Sequence, residues 1–277
     1  MIPTWLIEAD VFPNEDNRLI AELVRQKVPH VVTKFGKSYE EYLQDFADNA
    51  CIVFHGSLQF GSLIRRKTNW TGIYCNLPKF ECLYYYPRFG EYLLNGEYIM
   101  LPFGDLDRRK DWLFNTVGTE GKLFIRPSSG FKTFTGKVAS LETWEKDFKL
   151  FGFYGVDPEA MVIVAPPAQI KQEWRVVVAD NKIIAGSEYK TDEDWAKDTP
   201  VDKLPEEIIE YAQSAVDYAQ YNPDPVWTID ICKTDQNQLK VVEVGSFSCA
   251  GLYACDPAPV VAEVNNISIR EWQENNQ

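Results

Sequence analysis

Two acidic residues in the stretch 226–247, VWTIDICKTDQNQLKVVEVGSF, are spaced for chemistry. Apolar residues alternate on both sides of the polar run Asp235-Gln236-Asn237-Gln238, which is the pattern of a β-hairpin. A turn centred between Gln236 and Asn237 pairs Thr234 with Leu239 and sets Asp230 directly opposite Glu243. Side chains alternate across a strand, so Asp230, Cys232, Val241 and Glu243 are expected on one face. Ile229, Ile231, Val242 and Val244 are expected on the other. Facing carboxylates repel one another. A divalent cation reverses that sign, and Mg²⁺ is commonly held by one or two carboxylates together with substrate phosphates. The hairpin suggests a metal–phosphate site; the alternative is a surface hairpin with two solvated acids.

A second hairpin, QEWRVVVADNKIIAGSEYK at 172–190, turns at Asp180-Asn181. That turn sets Val178 against Ile183, Arg175 against Gly186, Glu173 against Glu188 and Lys171 against Lys190. Trp174, Val176, Val178, Ile183 and Ala185 form the apolar face, while Glu173, Arg175, Gly186, Glu188 and Lys190 form the polar one. Glycine beside Arg175 leaves room for a guanidinium to reach a phosphate. A solvated salt-bridge patch is the competing reading. A third feature is KLFIRPSSGFKTFTGKV at 122–138, two strands joined by a Pro-Ser-Ser-Gly turn and followed by Lys132 and Thr133. Such a loop can lay backbone N–H groups and a lysine over phosphates, although similar turns often only connect strands.

The rest of the chain must position these groups. Its 277 residues suit one large or two modest domains, and a hydrophobic content of 45% supports a packed core. A net charge of −13 argues against a nucleic-acid-coating surface and against binding anionic membranes. Two histidines and six cysteines without C-x-x-C spacing argue against a structural zinc site and leave reduced thiols as the expectation. The start lacks a signal-peptide pattern and no apolar run approaches membrane-spanning length, so a soluble cytoplasmic protein is expected.

Strands at 4–8, 28–33 and 51–55 alternate with helices at 17–26 and 39–48, the signature of a parallel, Rossmann-like sheet. The turn Gly56-Ser57-Leu58-Gln59-Phe60-Gly61 leads into a helix carrying Arg65, Arg66 and Lys67, and either binds an anion or simply connects. The aromatic segment 70–86 reads as packing. Strands are expected at 98–102, 122–126, 132–138 and 161–165, and helices at 105–117 (capped by Asp105), from Ser140, at 205–220 and near 257–265.

In this order the pieces resemble the ATP-grasp superfamily of carboxylate–amine ligases: strand–glycine loop–strand, apolar strand, E-x-R hairpin, helix, then a D…E-x-G hairpin. The resemblance covers about residues 95 to 265 and is greatest to a clade, frequent in phages and bacteria, named for two arginines and one lysine. It implies a mixed α+β and α/β fold, with a Rossmann-like N-terminal domain over 1–95 and an ATP-grasp domain over 96–277. By the same resemblance, Arg126 and Lys132 contact ATP phosphates. Val162, Ile163, Val164 and Ala165 line the adenine through backbone hydrogen bonds, and Glu173 holds the ribose. Arg175 stabilises the transferred phosphoryl group, so Arg175→Ala is expected to lower turnover with little loss of folding. Lys190 competes with Lys132 as the clade's lysine. Asp230 and Glu243 carry Mg²⁺.

The implied activity is amide formation from a small-molecule or peptide carboxylate and an amine, through an acylphosphate. Gly245 departs from the family's common asparagine two residues after the metal glutamate. That departure keeps open a catalytically weakened ATP-binding regulatory or interaction module, and a small-molecule kinase is a third reading. The first domain and the loop 245–256 are expected to shape the substrate pocket.

Overall fold

The computed structural model describes residues 2–34, 37–131, 133–153, 155–191 and 204–276. Lys132 and most of the acidic stretch 191–199 lie outside them.

The chain begins with β1 (Thr4–Ile7), α1 (Pro13–Arg25), β2 (His30–Val32), α2 (Tyr39–Gln44), β3 (Ile52–His55) and α3 (Leu58–Lys67). The three strands form a parallel sheet in the order β2-β1-β3, as βαβ connections require. β3 is buried at every residue, which is why it reads as an unbroken apolar run. Ser38 and Glu41 cap α2 reciprocally, and the Ser57 hydroxyl caps α3.

After a helical turn at Leu77–Phe80 comes α4 (Cys82–Phe89), which explains the aromatic segment. Tyr85, Tyr86 and Phe89 are fully buried there.

The second sheet is antiparallel, in the order β4-β7-β5-β6. It is built from β4 (Ile99–Pro102), α5 (Asp105–Arg108), α6 (Lys110–Thr116), β5 (Lys122–Pro127), β6 (Lys137–Ser140), α7 (Trp144–Gly152) and β7 (Met161–Ala165). Three expectations need correction here. The helix over 105–117 is two pieces meeting at Arg109, and Asp105 sits inside the first, paired with Arg108 and Arg109 rather than capping it. The strand expected over 132–138 is confined to Lys137–Ser140. Ser140 ends that strand instead of starting a helix; its N–H, the Thr143 hydroxyl and Lys137 all donate to Asp147 of α7.

The third sheet, also antiparallel, runs β11-β10-β8-β9. Its elements are β8 (Ile170–Ala179), β9 (Lys182–Thr191), α8 (Glu206–Ala219), β10 (Val226–Thr234), β11 (Leu239–Ser246) and α9 (Pro257–Asn275). Asp180 and Asn181 both take positive φ, 47° and 61°, the backbone of a two-residue hairpin turn. α9 runs ten residues beyond its expected end, because Ile267 stays buried and Trp272 reaches the Asn49 carbonyl.

This sheet has an apolar layer on each side. Trp174, Val176, Val178, Trp227, Ile229 and Ile231 pack against α4 and α8. Val177, Ala179 and Val226 on the reverse face pack with α9 and with Trp5, Ile7, Leu19 and Leu23 of the first module. The parallel module therefore has no isolated interior on that side; its core is shared with the sheet that carries Arg175 and Asp230. Among the described residues, no helix is long and apolar enough to cross a membrane.

Candidate functional site

Three β-bulges decide which side chains face the space between the antiparallel sheets. Asp230 does lie opposite Glu243, but the next pair is Ile231 with Val241, so Val242 is an extra residue. A bulge re-aims the chain locally. Val241, expected beside the acids, is instead fully buried in the core with Ile229 and Ile231. Val242, expected in the core, lines a cavity with Glu243. Nearer the turn, Leu239 pairs with Lys233 rather than Thr234.

The Arg175 hairpin is corrected in the same way. Val178 meets Ile183 as expected, but a bulge then sets Val176 against Gly186 and Arg175 against Ser187. Ala185 joins the face of Val177 rather than that of Trp174. A second bulge sets Trp174 against Glu188 and Glu173 against Lys190, leaving Tyr189 as the extra residue. Lys190 therefore faces Glu173, not Lys171, and donates to its Oε1. The space predicted beside Gly186 is filled by Leu204.

The resulting site has two adjoining cavities. The larger, about 420 Å³, lies between the second and third sheets and is lined by Arg126, Glu173, Tyr189, Lys190, Val242 and Glu243, among others. The smaller, about 210 Å³, shares Arg126 and Glu243 with it and adds Arg175, Ser129, Gly245 and Tyr253. Leu58, Leu77 and Phe80 close its far side. The expectation that the first 95 residues and the loop after β11 shape one pocket matches this second space.

Each of these arginines is set against an acid, Arg175 buried and Arg126 half-buried. Arg175 Nε and Nη2 donate to Asp230 Oδ1 and Oδ2 at 2.6 and 2.9 Å, a bidentate pair. Its Nη1 donates to the Gly251 carbonyl at 2.8 Å. Arg126 Nη2 donates to Glu243 Oε2 at 3.0 Å, and its Nη1 reaches the carbonyl of the bulge residue Val242 at 3.3 Å. Burial would lower the pKa of both guanidiniums, but neighbouring groups reverse this, holding both well above the ordinary value. For Arg126 those groups are Tyr85, Cys82, Tyr86 and Glu243; for Arg175 they are chiefly Asp230.

Val162, Ile163, Val164 and Ala165 line neither cavity. β7 is an interior strand, buried from Val162 to Ala165, with Val162, Ile163 and Val164 paired on both sides by β4 and β5 and Ala165 paired to Phe124. Ladder bonds on both sides leave the first three no backbone groups for a ligand, and in the following segment Ala168 and Ile170 line the larger cavity.

The turn 56–61 has an occupant of its own. The Glu8 carboxylate accepts from the Ser57 N–H at 2.7 Å and from the Tyr39 hydroxyl at 2.5 Å. It fills the position where an external anion was one of two expectations.

Tyr189 was missed by sequence reasoning. Alternation placed Lys190 on the polar face and its neighbour on the other, and only the bulge brings both to the cavity.

Asp230 and Glu243, facing one another on adjacent strands, offer hard oxygen donors of the kind Mg²⁺ takes. Among the described residues no three His, Cys, Asp or Glu side chains gather to hold a metal, so phosphate and water oxygens would have to complete the shell.

A search of the curated proteins finds no match. Among solved structures, the D-cycloserine synthetase DcsG aligns with a TM-score of 0.62 at 13% identity, over 96% of this chain and 99% of that one. N5-carboxyaminoimidazole synthetase from Staphylococcus aureus gives 0.62 at 14%, over 95% and 77%. D-alanine–D-alanine ligase from Bacillus anthracis, complexed with ATP, gives 0.58 at 15%, over 99% and 100%. These likenesses establish a common fold. The model for the second family of ATP-grasp domains in the clade named for two arginines and a lysine matches residues 109–263, which include every strand that lines the larger cavity. A protein that carries this domain across more than half its length, in an ATP-grasp fold, belongs to that clade of the ATP-grasp superfamily.

Proposed function

We propose that the protein is an ATP-dependent carboxylate–amine ligase of the amino-acid or peptide type. The observation that carries this reading is the meeting of the two cavities at Arg126 and Glu243. ATP fills the larger, with adenine along Ala168 and Ile170, ribose on Glu173 and phosphates toward Arg126, Lys190 and Arg175. Asp230 and Glu243 hold Mg²⁺, which when bound neutralises phosphate charge. The smaller cavity holds the substrate carboxylate; in this division residues 1–95 wall the acceptor side and residues 96–277 grip the nucleotide.

The carboxylate attacks the γ-phosphorus, forming an acylphosphate and releasing ADP, and an amine then displaces phosphate to leave an amide. Little covalent work falls to the protein, so positioned arginines, a lysine and acids suffice.

The first test is thermal unfolding with ATP, with and without Mg²⁺, for wild type and Glu243→Gln. At ~100 times its dissociation constant, a ligand adds about 2.7 kcal/mol, and a chain of this size melts roughly 5 °C higher. A Mg²⁺-dependent rise that shrinks in the variant supports the reading; no rise with any nucleotide ends it. One observation favours a nucleotide-binding module without turnover: Gly245 brings no side chain to the position where the family commonly has asparagine. ADP release in the presence of amino-acid and peptide pools decides for the ligase, and ATP binding without release under every pool decides for the module.

A further inference from the structure

Tyr189 lies where the larger cavity meets the buried acids, and only 6% of its surface is exposed. Its hydroxyl is 2.7 Å from Glu173 Oε2 and 3.3 Å from Asp230 Oδ2. One O–H can donate to one acceptor at a time: it serves the nearer Glu173 while standing within reach of Asp230. The ring is fixed as well. It stacks on Tyr253 with centroids 4.6 Å apart and planes inclined by 8°, and the Arg175 guanidinium carbon lies 5.8 and 5.2 Å from the two ring centres. Tyr253 holds this place with φ at +52°, a left-handed conformation unusual for an aromatic residue. A bulge, a stacked partner and a strained backbone thus converge on one hydroxyl between two carboxylates.

We propose that Tyr189 is a positioning residue that couples recognition of the ribose hydroxyls to binding of the metal. The inference rests on the reading of Glu173 as the ribose-binding group and Asp230 as a metal-binding one. When a ribose hydroxyl donates to Glu173, it competes for the carboxylate oxygen that the phenol occupies. The phenol proton then turns toward Asp230 and steadies that carboxylate beside the cation. Ribose contact and Mg²⁺ affinity therefore rise together, and a nucleotide lacking those hydroxyls loses part of both.

The test is calorimetric titration of ATP and 2′,3′-dideoxyATP, each with and without MgCl₂, into wild type, Tyr189→Phe and Glu173→Gln. Tyr189→Phe keeps the stacked ring and removes only the hydroxyl. Its affinity for ATP with Mg²⁺ is expected to fall about tenfold, the scale of a hydrogen bond to a charged group. Its preference for ATP over the dideoxy analogue, and the gain in ATP affinity on adding Mg²⁺, should both shrink. Glu173→Gln leaves the rings untouched but weakens the acceptor that holds the phenol, so its Mg²⁺ gain should become the same for ATP and the dideoxy analogue. A merely structural tyrosine would move neither the preference nor the gain. Wild-type values of both in Tyr189→Phe, or a Mg²⁺ gain in Glu173→Gln that still differs between ATP and the dideoxy analogue as in wild type, overturn the coupling while leaving the ligase reading intact. A wild type that binds no ATP overturns the ligase reading itself.

Discussion

Arg175 and Asp230 stand opposite one another on β8 and β10, joined by two hydrogen bonds of 2.6 and 2.9 Å, with 8% and 3% of their side chains exposed. Removing one partner of a buried ion pair strands the other charge, at a cost of roughly 3–5 kcal/mol. Arg175→Ala is therefore expected to destabilise the fold strongly, correcting the view that it would alter turnover alone. Arg175→Met combined with Asp230→Leu should recover much of the loss, because neither charge is then left buried. Urea unfolding of the single and double variants measures this; equal losses in both would mean that stranded charge is not the cause.

Gly245 lies opposite Thr228, and a Cβ added to it would come within 2.9 Å of the threonine hydroxyl oxygen. Thr228 is 1% exposed and has little space to retreat. This gives a packing reason for the missing asparagine. Gly245→Ala should cost about 1–3 kcal/mol, as overpacking does, and the penalty should fall when Thr228→Ala removes the hydroxyl. Strict additivity in urea melts would show that the contact is not what excludes a side chain.

Two buried titratable groups act on stability in opposite directions. Burial lowers the pKa of His55 to about 4, while its Nε2 contacts the Ala250 carbonyl. Below its ordinary value of 6.5 the unfolded chain binds a proton that the folded one refuses, so this contribution is lost as pH falls toward 4. Burial raises the pKa of Asp224 to about 7, with the Asn76 N–H, Arg65 and Lys79 opposing. Here the folded chain holds the extra proton, so stability is greatest below 3.8 and is lost as pH rises through 7. Each contribution is on the order of 3 kcal/mol, and they largely offset between about pH 4 and 6.5. Asp224→Asn removes one of them. Its advantage over wild type should widen as pH rises from 4 to 7 and then level off; a constant difference across chemical denaturation series at several pH values would refute the assignment.

Much of this arrangement was legible in the chain. Both hairpins, the interior strand β7 and the parallel first module follow from alternation, apolar runs and turn residues. Asp230 was correctly set against Glu243 through two offsets that cancel: the register near the turn is displaced by one residue, and the bulge at Val242 restores it. No such cancellation occurs between β8 and β9, where bulges accumulate and Arg175, Lys190 and Tyr189 all have unforeseen partners. A bulge leaves no mark in a pattern of period two, because it is set by what the neighbouring sheet must reach. The Glu8 carboxylate in the turn at Gly56 was illegible for a related reason, since it depends on two strands meeting 49 residues apart.

The extra residue in β11 also works as an expansion joint. Between the turn and Ile231 the strands keep one register, and beyond Asp230 they keep another. A chain lacking Val242 would continue the first register without interruption and still bring its glutamate opposite Asp230, losing only the carbonyl that Arg126 now holds. The interval between the two acids is thus free to drift by a residue over evolutionary time while their confrontation across the strands persists. Relatives are better recognised by which side chains meet than by how many residues separate them.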